Sequence, residues 1–170
     1  MRECGYVTTG DCGAVSDCDS RQLETRNDVL IKCRTYGAVT IPADTEVGTV
    51  FSLVNLNVDT RGYQKPCVKL EFYGNILTAT ATATLNFQVF RQCGGQLSPV
   101  PASSVWTFAR AVATADEANT LSFALCDCDN CNCSCCNYSV VATVAGAATT
   151  GTVTINNATL VATVAETAGC

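Results

Sequence analysis

Six cysteines crowd into eleven residues, Cys126-Asp-Cys-Asp-Asn-Cys-Asn-Cys-Ser-Cys-Cys136, and no other stretch limits the chain as severely. The spacers are only Asp, Asn and Ser, which hydrogen-bond their own backbone and favour turns. This stretch therefore has no means of building an apolar core of its own. Its flanks, Leu121-Ser-Phe-Ala-Leu125 and Tyr138-Ser-Val-Val-Ala-Thr-Val144, carry the alternation of half-buried strands. The pattern reads as a sulfur-loaded loop between two strands, and such a loop either forms disulfides or binds a soft metal.

Thirteen cysteines in 170 residues imply oxidising surroundings or a thiolate cluster. The count is odd, so at least one thiol has no partner within the chain. Met1-Arg-Glu-Cys-Gly-Tyr6 lacks the apolar segment of a signal peptide, and no run approaches the roughly 18 apolar residues of a membrane span. The expectation is an extracellular, oxidising setting, reached either after removal of a signal or, as Met1 favours, without the usual export route, as by release from a lysing cell.

Several chemistries lose their footing on composition. The chain has no histidine, which removes the commonest general base and the commonest metal ligand. A cysteine nucleophile would lack its imidazole partner, and no glycine-rich phosphate loop joins a strand to a helix. Asp127 with Asp129, Glu24 with Asp28, and Asp116 with Glu117 read as solvated charge. Neither an enzyme nor a cofactor is expected. A net charge of −5 offers no basic stripe for nucleic acid. With only 15% of residues charged, the surface is prone to self-association.

Along the chain, residues 1–27 hold Cys4, Cys12 and Cys18 among Gly, Asp, Ser and Thr, which suits an extended arm without a core. The body is expected over 28–165. Strands are read at Asp28–Cys33, Ala38–Ile41 and Gly48–Val58, the last with a one-residue slip between Leu53 and Val54 of the kind a bulge makes. Cys67–Tyr73 alternates with Val68, Leu70 and Phe72 inward. The Thr78–Thr84 repeat is ambiguous between strand and loop, and Leu85–Val89 resumes the alternation. Pro99 and Pro101 exclude a central strand, Trp106 and Phe108 share one parity, and Ala111–Asn119 suits a short helical turn. Leu121, Phe123 and Leu125 form an inward stripe. The final strands are read at Tyr138–Val144, Thr150–Ile155 and Leu160–Val164, with a bulge or turn at Asn156-Asn157. A tail, 166–170, ends in Cys170. Eight to ten short strands without a confident helix make an all-β, jelly-roll-like sandwich with an extended N-terminal arm.

Every cysteine is a cross-link candidate: Cys4, Cys12, Cys18, Cys33, Cys67, Cys93, Cys126, Cys128, Cys131, Cys133, Cys135, Cys136 and Cys170. The alternative is a soft-metal site on Cys126, Cys128, Cys131, Cys133 and Cys135, whose C-x-C and C-x-x-C spacings resemble the sulfur-only ligands of a metallothionein. Structural zinc sites usually draw on two separated knuckles, and only one is present here. Cys33, Cys67 and Cys93 fall at expected strand ends, within disulfide reach of a neighbouring strand. Adjacent Cys135 and Cys136 are not expected to pair with each other.

Cys67-Val-Lys-Leu-Glu-Phe72, Leu85-Asn-Phe-Gln-Val-Phe-Arg-Gln-Cys93, Pro99-Val-Pro101 with Val105-Trp-Thr-Phe108, Cys126-Asp-Cys-Asp129 and Gly151-Thr-Val-Thr-Ile-Asn-Asn-Ala-Thr-Leu160 together resemble a cysteine-rich domain-of-unknown-function family of spore-forming anaerobic Firmicutes. That resemblance covers about residues 28–165 and implies no activity. In architecture the chain is similar to endospore appendage pilins, whose jelly-roll subunits stack into fibres through a cysteine-bearing N-terminal connector. The likeness implies a homopolymer in which the arm is donated to neighbouring subunits. The function expected is that of a structural subunit of a disulfide-cross-linked filament or surface layer. The alternatives are a metal-binding protein and a carbohydrate-binding jelly roll.

Overall fold

The computed structural model of the chain describes residues 29–112, 115–128 and 135–166. Among them there is no helix. The strands are β1 (Leu30–Thr35), β2 (Val39–Ile41), β3 (Val50–Asp59), β4 (Pro66–Cys93), β5 (Val100–Pro101), β6 (Trp106–Arg110), β7 (Glu117–Asp127) and β8 (Cys135–Glu166). β4 and β8 are far longer than the usual five or six residues, and the reason is that each serves two sheets.

β4 pairs with β8 antiparallel from Pro66↔Glu166 to Cys93↔Cys136, with register shifts between Ala79 and Thr84. There both strands fold over. The first limb of β4 (66–79) and the second limb of β8 (150–166) make one sheet, extended by β1 and β2 on the β8 side and by β7 on the β4 side. The second limb of β4 (82–93) and the first limb of β8 (135–145) make the other, flanked by β3 and by β6 with β5. With the limbs of β4 and β8 counted separately, and β1 with β2 and β5 with β6 each taken as one segment, the first segment pairs with the eighth, the second with the seventh, the third with the sixth and the fourth with the fifth. That is one long antiparallel hairpin rolled up, the jelly-roll sandwich expected from the sequence.

Glycine and left-handed backbone make the fold-over possible. Gly151 adopts φ 65° and Thr80 φ 41°. A Cβ on Gly151 would lie 2.5 Å from the Thr80 carbonyl oxygen, so the two strands touch backbone to backbone at the corner. The Thr/Ala repeat is therefore strand on both sides of a corner. Within it Thr78, Ala81 and Ala83 are buried, while Ala79 and Thr80 are exposed at the bend.

The core follows the alternation. Val68, Leu70, Phe72 and Ile76 from one limb of β4 face Leu85, Phe87 and Val89 from the other. Val140, Val153, Ile155, Leu160 and Val164 of β8 complete it. In β3 the bulge falls between Ser52 and Val54, so Leu53 and Val54 are both buried. The second bulge sits at Asn157, φ 53°, where Tyr73/Asn75 slips against Thr159/Asn156.

Some expectations are corrected. No helical turn forms over the described part of 111–119, because β7 already begins at Glu117 and pairs with Thr78. The final segments are one bent strand. Leu121 and Leu125 are only half-buried at the sheet edge, and Phe123 alone enters the core, stacked between Trp106 at 4.0 Å and Phe72 at 4.9 Å. No described helix is long and apolar enough to cross a membrane.

Candidate functional site

Folding β4 in half brings its two ends, Cys67 and Cys93, to the same end of the sandwich. Cys67 is bonded to Cys128, and Cys93 to its register partner Cys136 with Cα atoms 4.0 Å apart. One bridge secures the end of β7 to the first sheet and the other secures the start of β8 to the second. The cysteine-rich stretch is thus the crossing from one sheet to the other, pinned covalently on both sides. Cys126 and Cys135 belong to the strands themselves, opposite Lys69 and Asp59. Cys131 and Cys133 lie outside the described residues, as do Cys4, Cys12, Cys18 and Cys170 and the arm and tail that carry them.

The bridge to Cys67 takes Cys128 out of the five-thiolate ligand set, and Cys135 and Cys136 do not pair with each other. Among the described residues no group of three or more metal-ligating side chains converges. Cys33 sits within β1, away from any bridge, and is exposed.

Between the bridges lies a polar clasp that the sequence concealed. Asp127, 7% exposed, accepts two hydrogen bonds from Arg91 Nη1, at 2.6 and 2.7 Å, and one from the fully buried Tyr138 hydroxyl at 2.7 Å. Asp127 belongs to the first sheet, Arg91 and Tyr138 to the second, so the clasp ties the two sheets beside the disulfides. Charge-assisted bonds in a dry setting are among the stronger kind. Asp127 is accordingly structural, and reading it as solvated charge was wrong. Its signal was available in parity: Asp127 continues the inward positions of Phe123 and Leu125.

Asp116 and Glu117 also have definite work. Asp116 accepts hydrogen bonds from the Thr80 amide and hydroxyl at 2.9 and 3.2 Å, and Glu117 is ion-paired with Arg110. Arg110 donates to the carbonyls of Ala81 and Ala115. Together these fasten the fold-over corner, at the end opposite the cysteines.

Asp59 borders the cysteine end on β3. Burial, the largest influence, raises its carboxyl, but the hydrogen bonds and charge of Arg61, with Lys32 further off, outweigh it and hold the group below the ordinary value.

The described chain enters and leaves at this same end: Leu30 pairs with Val164, and Pro66 with Glu166. The segments carrying Cys4, Cys12, Cys18 and Cys170, and the one carrying Cys131 and Cys133, all join the body there.

No curated protein matches the sequence significantly. Among solved structures, a protein of infectious bursal disease virus, Gt strain, is 11% identical over 82% of this chain and 38% of its own, with a TM-score of 0.45. The VP2 subviral particle of that virus gives 10% identity, 89% and 42% coverage and 0.46. A structure of carbohydrate-binding modules from the β-sandwich superfamily gives 7%, 75%, 55% and 0.35. This chain therefore spans about two fifths of the viral proteins, and at these scores nothing of their roles is carried over. The family model described as a domain of unknown function (DUF4489) matches residues 27–165, most of the chain and all of the sandwich, and the protein belongs to that family.

Proposed function

We propose that the protein is a structural, non-enzymatic subunit, pilin-like, of a self-assembling and disulfide-cross-linked extracellular filament or spore-surface appendage. One observation carries this reading: the segments bearing Cys4, Cys12, Cys18, Cys131, Cys133 and Cys170 all join the sandwich at one end, beside two bridges. A body closed by its own disulfides, to one end of which these cysteine-bearing segments attach, suits covalent joining to other copies rather than catalysis. The outer faces support it. The second sheet presents Asn55, Asn57, Asn86, Gln88, Asn137 and Thr143, and its charge is the Asp59–Arg61 pair at the cysteine end. The first presents mostly Thr, Ala and Asn around a single Lys69–Glu71 pair. Surfaces this poor in charge repel their own copies weakly.

Residues 1–27 act as the connector, and Cys4, Cys12 or Cys18 bonds to a cysteine of another copy in the 126–136 segment or at Cys170. Positioning comes from backbone addition to an open sheet edge, and the disulfide then blocks dissociation. The body from residue 28 folds without the arm, because every inward stripe lies within it.

The test is electrophoresis of native material boiled in detergent, with and without reductant. A ladder that collapses on reduction is expected, and replacing Cys4, Cys12 and Cys18 together by Ser should abolish it while circular dichroism stays β-rich. A ladder persisting in that triple variant would remove the arm as the cross-linker. Elemental analysis showing several zinc or copper ions per chain would favour the metal reading instead.

A further inference from the structure

Cys33 and Cys126 are both exposed, and neither forms a disulfide. Cys33 lies on β1 and Cys126 on β7, the two outer strands of the first sheet, in the order β1, β8, β4, β7. Each of these strands is paired on one side only among the described residues. The cysteines also share a face. Cys33 falls in the cross-strand row Cys33–Val161–Glu71–Ala124, and Cys126 in the next outward row, Ile31–Thr163–Lys69–Cys126.

Three antiparallel steps separate β1 from β7, so the two strands run in opposite directions. A second copy repeating the sheet sideways therefore presents its β7 antiparallel to β1, the arrangement in which backbone pairing and a cross-strand disulfide are compatible. The fold already uses such a bond, since Cys93 and Cys136 are directly opposed in β4 and β8.

We infer that β1 of one copy pairs with β7 of the next, and that Cys33 bonds to Cys126 across this edge. The inference rests on the reading of the protein as a covalently assembled subunit and names a joint that the arm does not supply. With Cys33 opposite Cys126, the antiparallel register sets Lys32 opposite Asp127 and Thr35 opposite Ala124. Lys32 and Arg34 sit on the inward-facing positions of β1, a device that discourages pairing with arbitrary strands. The contact is heterologous, so copies continue in one direction instead of closing as a symmetric pair. Sheet twist of roughly −20 to −25° per strand makes the product a helical ribbon.

Within one folded chain the bond is excluded. Three inter-strand gaps separate the two residues by about 14 Å, against a Cα limit of about 7 Å for a disulfide. Any Cys33–Cys126 bond in folded protein is therefore between chains. Its formation removes two protons and two electrons from the two thiols. A small-molecule disulfide accepts them and leaves as two thiols, or dioxygen accepts them and becomes hydrogen peroxide.

The test mixes unlabelled and heavy-nitrogen-labelled full-length protein, assembled with oxidised glutathione, digested without reduction and mapped by mass spectrometry. A Cys33–Cys126 linked peptide containing mixed-isotope pairs is expected. Cys33→Ser or Cys126→Ser alone should lose it, and an equal mixture of the two variants should restore it, because each supplies the thiol the other lacks. Covalent multimers in which Cys33 and Cys126 are recovered as alkylated thiols, or with Cys33 bonded to Cys33, would overturn the edge joint and leave the cross-linked subunit standing. A linked peptide of single-isotope pairs only would overturn it as an intrachain bond. Absence of any covalent multimer would overturn both readings.

Discussion

Replacing Asp127 by Ala tests the inter-sheet clasp most directly. The carboxylate is 7% exposed, Arg91 beside it has a side chain 19% exposed, and Tyr138 is fully buried. The substitution removes three hydrogen bonds of 2.6–2.7 Å and leaves a largely buried guanidinium without this carboxylate. Breaking a buried pair from one side costs about 3–5 kcal/mol, a large part of the roughly 5–15 kcal/mol that holds a typical domain. Tyr138→Phe removes one hydrogen bond to a charged group and should cost less, about 1.5–3 kcal/mol. The assay is guanidinium unfolding with the disulfides intact, followed by the fluorescence of Trp106, the single tryptophan. A fall in midpoint with an unchanged slope is expected for a loss of stability. Double substitution should cost less than the sum of the two, since both side chains act through one carboxylate. A loss under about 1 kcal/mol for Asp127→Ala would mean that water already serves this carboxylate, and the clasp argument would fail.

The remaining predictions address the bridges, the corner and pH. Cys93→Ser with Cys136→Ser, or Cys67→Ser with Cys128→Ser, opens a loop with a sequence separation of 43 or 61. Loop entropy puts each loss at about 4 kcal/mol, and unchanged denaturation midpoints would contradict it. Gly151→Ala should lower the melting temperature more than Gly146→Ala, because the new Cβ meets backbone oxygen at 2.5 Å in the first case and the Thr84 side chain at 3.5 Å in the second. Equal effects would show that the positive φ values, not the close approach, decide both. Asp59, held below its ordinary pKa, is protonated first in the unfolded chain as pH falls. Its contribution is therefore present at neutral pH and lost on acidification below about 4. Asp59→Asn should flatten the stability profile in that window and leave its slope between pH 5 and 8 unchanged.

Much of the fold was legible because a strand buried on one face writes period two into the chain. Val68, Leu70 and Phe72 faced inward as their parity indicated, and the slip at Leu53-Val54 marked a real bulge. Parity says which face is covered, however, and nothing about where a strand ends. The Thr/Ala alternation of 78–84 runs on unbroken while burial slips by one residue at Ala79-Thr80, so the repeat did not show that one strand bends there. The segment at 111–119 misled for a related reason: Ala, Asp and Glu have helical propensity, but Glu117 and Ala118 are claimed by pairing with Thr78 and Leu77. Tertiary pairing overrides so weak a local preference.

The site was less legible than the fold, and Asp127 shows why. A carboxylate between two cysteines in a polar stretch is hydrated unless the fold delivers a cation and a donor to it. Both arrive from the opposite sheet, Arg91 from 36 residues upstream and Tyr138 from 11 residues downstream. Neither separation is a local one, and both contacts exist only because β4 and β8 fold in half together. Cys67 and Cys128 meet as neighbours within the first sheet, and the fold-over sets the Cys93–Cys136 bridge of the second sheet, the first residues of β1 and the last of β8 at the same end. Spacing along the chain could mark all of these residues as candidates for something. Their convergence on one end of the sandwich depends on the corner at Thr80 and Gly151, whose backbone conformations lie in the left-handed region. The residues that assemble the cysteine end thus sit at the other end of the molecule, in a stretch whose composition carries no chemistry.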